Sequence, residues 1–244
     1  MSFQYPDGTN PLKDISFEVK QGQTVGILGP TGCGKSSLMH LLVRLFDYQK
    51  GSIKIDGYEL KDIDKKWIRS HIGIVLQEPF LFSKTVLDNI RLSKPDASMN
   101  EIEQAARIAA IHDTIVSFEK GYDTLVGERG VTLSGGQVQR VAIARTVLKN
   151  HPILIFDDSL SAVDMETDIM IRRALKERSR GVTTFIISHR INTLAEADFI
   201  VVMDDGRIVH TGTHDELVRQ EGLYSRIWAI QSSLEGEQEG IVNE

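Results

Sequence analysis

A single cysteine, Cys33, stands in 244 residues, so no disulfide can close within the chain and no cysteine-rich metal cluster can assemble. Long apolar runs are missing as well: no stretch approaches the roughly 18 consecutive apolar residues of a membrane span. The opening Met1-Ser2-Phe3-Gln4-Tyr5-Pro6 has neither the basic lead nor the apolar run of a secretory leader. Together these absences predict a soluble polypeptide in a reducing, cytosolic setting. An excess of basic charge is also lacking, since 28 Lys and Arg face 34 Asp and Glu for a net charge of −6. That balance leaves no electrostatic footprint for a polyanion and disfavours nucleic acid as a partner. No internal repeat or low-complexity block is evident. What is present is a 41% hydrophobic fraction, ample for the core of one large domain or two small ones.

Short apolar or alternating runs recur at residues 15–19, 24–28, 52–55, 72–76, 153–156, 183–187, 199–203 and 207–210. The middle ones are continuous and branched, as in strands buried on both faces of a parallel sheet, and the flanking ones at each end have an antiparallel character. An α/β core over 1–78 and 150–234 is predicted. From 79 to 149 the pattern turns helical, with Asn100 and Glu103 at capping-box spacing around Ile102, Ala106, Ala109 and Ala110. This reads as a helical insertion. Residues 235–244 are acidic, glycine-bearing and free of aromatics, which predicts a disordered tail. Lys65-Lys66 and Arg172-Arg173 read as solvated faces.

Residues 29–36, Gly29-Pro30-Thr31-Gly32-Cys33-Gly34-Lys35-Ser36, match the phosphate-loop pattern, and Ser37 follows. The strand-like run 24–28 leads in, and Leu38, Leu41, Leu42, Leu45 and Phe46 lead out at helical spacing. Such a loop aims backbone N–H groups and the positive end of a helix dipole at one point, an anion site before any side chain is counted. Lys35 adds a full charge, and Ser36 offers a hydroxyl to the Mg²⁺ that accompanies a nucleoside triphosphate. The pattern alone fits ATP or GTP. Cys33 reads as a small loop residue rather than a redox centre.

A second glycine-rich helix start lies at Leu133-Ser134-Gly135-Gly136-Gln137, where Ser134 and Gln137 again have capping-box spacing. Alone it could be a well-capped turn. About twenty residues on, the apolar run 153–156 ends in Asp157-Asp158, where a phosphate-loop protein needs a carboxylate for Mg²⁺. Ser159-Leu160-Ser161-Ala162-Val163-Asp164 follows, and later Ile186-Ile187-Ser188-His189-Arg190.

With these motifs in this order, and with Gln77 after a strand, the chain resembles the nucleotide-binding domain of ATP-binding cassette (ABC) transporters over nearly its whole length. The resemblance implies a P-loop (RecA-like) core with an antiparallel β subdomain and an inserted α-helical subdomain. Leu81 to Ile90, Val126-Gly127-Glu128-Arg129-Gly130, and the ending from Gly206 through Leu217 are similar to the exporter branch. It further implies ATP and Mg²⁺ as ligands, and a head-to-tail partner domain whose triphosphate is closed by Ser134, Gly135, Gly136 and Gln137. Asp157 with Ser36 and Gln77 would serve Mg²⁺, Gln77 also the attacking water. His189 would sense the γ-phosphate, Tyr5 would stack on adenine, and Asp164 would touch the opposite subunit. A fused or associated transmembrane domain would place the chain on the cytoplasmic side of the membrane.

Two departures stand out. Position 158 is aspartate where active members of the family usually carry glutamate as general base, and the shorter arm predicts tight binding with slow hydrolysis. That suits one half of a heterodimeric exporter whose partner bears the glutamate; a homodimer tolerating aspartate, an introduced change, or a nucleotide-gated module with little catalysis stay open. The chain also opens almost on Tyr5, which looks like trimming from a longer polypeptide and predicts a weakened edge of the antiparallel part. A soluble ABC ATPase acting on DNA or ribosomes would be expected to carry coiled-coil insertions, two cassettes or a basic surface, none of which is visible.

Overall fold

The computed structural model describes residues 1–127, 130–178 and 181–242. In chain order the elements are β1 (Thr24–Leu28), α1 (Lys35–Leu42), β2 (Lys54–Ile55), β3 (Tyr58–Glu59), α2 (Lys65–His71), β4 (Ile72–Val75), α3 (Val86–Arg91), α4 (Met99–Ile108) and α5 (His112–Val116). They continue with α6 (Gly135–Leu148), β5 (Ile153–Asp157), α7 (Met165–Arg178), β6 (Thr183–Ile187), α8 (Ile191–Leu194), β7 (Phe199–Asp204), β8 (Arg207–Gly212), α9 (His214–Arg219) and α10 (Leu223–Val242). The fold is mixed α/β with a parallel sheet core, as the sequence predicts. It divides into two compact units, residues 1–72 with 183–244, and residues 73–182. No described helix is long and apolar enough to cross a membrane.

In the first unit β1 runs parallel to β6 on one side and β7 on the other, with Val25 opposite both Phe185 and Phe199. β8 pairs antiparallel with β7. Val25, Ile27 and Leu28 are buried, which is why this strand reads as a continuous apolar run rather than an alternating one. The antiparallel portion is smaller than the alternating runs suggest. β2 and β3 form a two-stranded ladder, and Ser2–Lys50 and Phe3–Leu12 are isolated bridges. Residues 15–19 form no strand, although Ile15 is buried, Ser16 exposed, Phe17 half-buried and Glu18 exposed. The period-2 pattern correctly reports which side chains are more buried; it cannot report whether a neighbour offers a ladder.

In the second unit β4 lies beside β5. Gly73 permits close packing there, since a Cβ would stand 2.7 Å from the His151 ring and 2.9 Å from Thr146. The cap of α4 is Ser98, two residues before the expected Asn100: its hydroxyl accepts the Glu101 N–H while Glu101 returns its carboxylate to the Ser98 N–H. Two overlapping boxes compete in the sequence, and Lys94, paired with Glu101, favours the earlier one. Arg172 is not on a solvated face. Its side chain is 9% exposed and meets Asp168 one turn away at 3.2 Å, whereas Arg173, rotated by about 100° on the same helix, is exposed.

The tail also departs from expectation, because α10 carries on through residues 235–242. Leu234 and the Glu and Gln residues that follow favour a helix enough to outweigh Gly236 and Gly240. Residues 243 and 244 lie outside the described residues, as do Glu128 and Arg129 of the exporter-like stretch.

Candidate functional site

The phosphate loop belongs to the first unit. β1 ends at Leu28 and α1 begins at Lys35 behind Gly34, which is left-handed (φ 104°) and supplies no side-chain cap. No side-chain oxygen caps this helix start, the place where an anion meets a helix dipole. Lys35 is buried, and its Nζ donates to the carbonyls of Gly29 at 2.7 Å and Pro30 at 2.9 Å, so the loop is curled around its own cation. Thr31, Gly32 and Ser36 line the exposed side. Cys33 is buried, and burial pushes its thiol up in pKa against the opposing Lys35 charge. That makes Cys33 a packed thiol at physiological pH, in keeping with a loop residue.

The glycines divide by what requires them. At Gly29 a Cβ would stand 2.4 Å from the Met203 carbonyl, and at Gly34 it would stand 2.3 Å from the Pro11 carbonyl. Gly34→Ala therefore combines a clash with a left-handed backbone, and a loss of roughly 1–3 kcal/mol is expected. Thermal unfolding of the variant checks it, with nucleotide affinity falling in parallel. Tyr5 reaches the same helix start: its hydroxyl donates to Ser37 Oγ at 2.9 Å, and the rings of Phe3 and Phe46 meet it edge-on at 4.7 and 5.0 Å. His189 lies two residues past β6 and is exposed.

The second unit holds the acidic strand end and the other glycine-rich helix start. Asp157 closes β5 at 7% exposure, and Asp158, 9% exposed, follows in the left-handed region (φ 45°). Asp158 Oδ1 and the Ser159 hydroxyl are both buried and meet no hydrogen-bond partner among the described residues. A buried carboxylate oxygen left without a donor is costly, so the pair is arranged for something that arrives with the ligand. Beside that pair, the Asp157 carboxylate at the strand end is a donor of the type that fits hydrated Mg²⁺, which takes hard oxygens and keeps much of its shell as water and phosphate. Among the described residues no three-ligand cluster could hold a metal alone. The ion would therefore come with the nucleotide.

Ser134 caps α6 with the reciprocal box that its spacing predicts: its Oγ accepts the Gln137 N–H, and Gln137 Oε1 accepts the Ser134 N–H at 2.9 Å. Gln137 thus spends its side chain on starting the helix. At Gly135 a Cβ would meet nothing within 4 Å, while at Gly136 it would stand 2.9 Å from the Ala162 carbonyl. The helix start is fitted to the 158–164 loop through Gly136 and left bare through Gly135. Asp164 is exposed and caps α7, with Oδ1 accepting the Thr167 N–H at 2.9 Å; that bond holds its carboxyl below the usual range. Gln77 is exposed two residues after β4, and its carbonyl accepts from Gln139 Nε2 at 2.9 Å, so α6 holds the Gln77 loop directly.

The family model described as ABC transporter matches residues 12–161. The chain belongs to the ABC transporter family. It is 46% identical over 233 residues to "Putative multidrug export ATP-binding/permease protein YgaD" of Bacillus subtilis, covering 95% of this chain and 40% of that protein. A Staphylococcus aureus protein with the same description is 47% identical over 233 residues, again 95% of this chain and 40% of the relative. Among solved structures, a bacterial Atm1-family ABC exporter with ATP bound superposes with a TM-score of 0.91 at 44% identity, over 94% of this chain and 41% of the other. The chain thus spans about two fifths of the length of the relatives it matches, the portion that includes the ATP-binding domain of these ABC exporters.

Within this ABC domain three side chains matter that sequence reasoning passes over. Asn89, fully buried in α3, exchanges hydrogen bonds with the backbone N–H and C=O of Phe82, both at 2.9 Å. Arg145 donates to the carbonyls of Asn89 at 2.8 Å and Phe80 at 3.0 Å, and burial draws its pKa down. Gln139, 2% exposed, is the holder of the Gln77 carbonyl. The available signal was a polar residue breaking an apolar helical pattern at each place. Their effect is to fix the segment that presents Phe80 and Phe82, 69% and 46% exposed, with ring centroids 5.2 Å apart.

Proposed function

We propose that this chain is the ATP-binding and ATP-hydrolysing motor domain of an ABC exporter, closing head-to-tail with a second nucleotide-binding domain and driving a fused or associated transmembrane domain from the cytoplasmic side. The observation that carries this reading is the cradle in which a buried Lys35 is wrapped by loop carbonyls at a helix start with no side-chain cap. Tyr5 and residues 29–37 bind the nucleotide, Ser36, Gln77 and Asp157 hold Mg²⁺, and Ser134 with the bare backbone at Gly135 serves the partner's triphosphate. Mg²⁺ supplies charge neutralisation of the phosphates. Asp158 orients the attacking water, and His189 donates toward the γ-phosphate from an imidazole N–H.

The aromatic pair Phe80 and Phe82, held rigidly by Asn89 and Arg145, supports docking of a membrane partner on the second unit. The aspartate at 158 supports a slow site paired with a glutamate-bearing domain, and it equally keeps alive a nucleotide-gated module with little catalysis. Mg-ATP titration combined with sedimentation distinguishes these. ATP is expected to occupy the chain and to draw it into a dimer with itself or a cognate domain, and slow release of phosphate separates motor from module. A chain that stays empty of ATP, or monomeric with every such domain, refutes the motor.

A further inference from the structure

A side chain of the last helix fastens the segment bearing His189. Gln231, half-buried on α10, accepts the Ile191 N–H at Oε1 (2.9 Å) and donates from Nε2 to the His189 carbonyl (2.7 Å). A backbone N–H only donates and a carbonyl only accepts, so the carboxamide has a single orientation that satisfies both. Arg190 occupies the cap position of α8 without a side-chain cap bond, and the orphan Ile191 N–H finds its acceptor on Gln231 instead. From the other side, the buried Ser188 hydroxyl accepts the Arg190 N–H at 3.0 Å. The backbone around His189 is therefore held by these bonds, and by the Ser188 N–H donating to the Ile27 carbonyl at 3.3 Å, while the residue itself is exposed. The anchoring of α10 has a separate source, since Tyr224 is 1% exposed and its hydroxyl meets His214 Nδ1 at 2.8 Å.

We propose that Gln231 is a positioning residue for His189. It fixes the backbone from which the imidazole reaches toward the γ-phosphate, and it gives α10 a direct grip on hydrolysis. The inference rests on the reading of His189 given under Proposed function. A structural role for Gln231 alone would lower stability or nucleotide affinity together with turnover. A positioning role lowers kcat selectively and acts only where His189 is present.

The test uses the intact polypeptide that carries this chain, in wild-type form and with Asp158→Glu to raise the signal. Gln231→Leu removes both bonds, and Gln231→Glu keeps the acceptor for Ile191 while losing the donor to His189. With Gln231→Leu, kcat is expected to fall about tenfold, inside the hundredfold that a displacement near 1 Å can cost. Affinity for a fluorescent ATP analogue should stay within about twofold. Gln231→Glu should lie between, and it carries the test if the leucine variant fails to fold. On a His189→Ala background, Gln231→Leu should cause no further loss. Unchanged kcat, a loss of affinity equal to the loss of kcat, or the same fractional loss with and without His189 each overturns the assignment. Failure of the unsubstituted polypeptide to bind ATP is a different result: it overturns the nucleotide reading itself, and the role of Gln231 falls with it.

Discussion

Replacing Asp158 with glutamate is expected to raise ATP turnover at this chain's own site about a hundredfold. The carboxylate of aspartate ends one carbon-carbon bond, about 1.5 Å, short of where glutamate would place it, and a reaction governed by positioning and charge stabilisation is sensitive on that scale. The structure adds that position 158 is left-handed (φ 45°) and that Oδ1 is buried without a partner among the described residues. Short polar side chains tolerate this backbone and longer ones less well, so the gain in rate should come with a loss in stability below about 1 kcal/mol. Single-turnover hydrolysis, with the partner domain's own site disabled, reads the first effect and thermal unfolding the second. Nucleotide affinity should barely change, because on the proposed reading residue 158 serves the attacking water rather than the bound phosphates. If turnover does not rise, aspartate is a competent base here and the slow-site pairing is wrong.

The parts that were legible in the sequence are those set by local chemistry. The phosphate loop needs small residues and positive φ at Gly32 and Gly34, so it is written in consecutive letters. The box of Ser134 and Gln137 depends only on a three-residue spacing, and it forms as spelled. Local chemistry misleads where two frames compete, as at Ser98 and Asn100, because the choice was made by Lys94 from outside the box. It is silent on partners far along the chain. Residues 15–19 alternate correctly yet form no strand, and Gln231 grips a backbone 42 residues away with nothing in its own neighbourhood to announce it. Arg172 and Arg173 look alike as letters, and only the helix rotation sends one inward.

The second large effect is expected from Gly135→Asp, which should abolish closure on the partner's triphosphate while leaving the chain folded and its own loop able to bind ATP. The two glycines of the helix start differ in what surrounds them. A side chain at Gly136 would press on the Ala162 carbonyl at 2.9 Å, so substitution there disturbs the fold. A side chain at Gly135 meets nothing within 4 Å and needs no unusual φ, so nothing within the chain demands glycine. An aspartate in the first turn of α6, which now holds no acidic residue, should even stabilise the helix by about 0.3–1 kcal/mol through the dipole. The same carboxylate would stand where a phosphate must approach. At about 4 Å and an effective dielectric near 20, one pair of like charges costs about 4 kcal/mol, nearly a thousandfold in closure. ATP-dependent dimerisation followed by sedimentation should therefore vanish while the unfolding temperature holds or rises. A Gly135→Asp protein that closes on ATP as readily as the original would mean that no phosphate comes to this helix start, and the head-to-tail arrangement would have to be abandoned. Gly135→Ala separates bulk from charge: adding a methyl group without the carboxylate, it should retain most of the closure that aspartate removes.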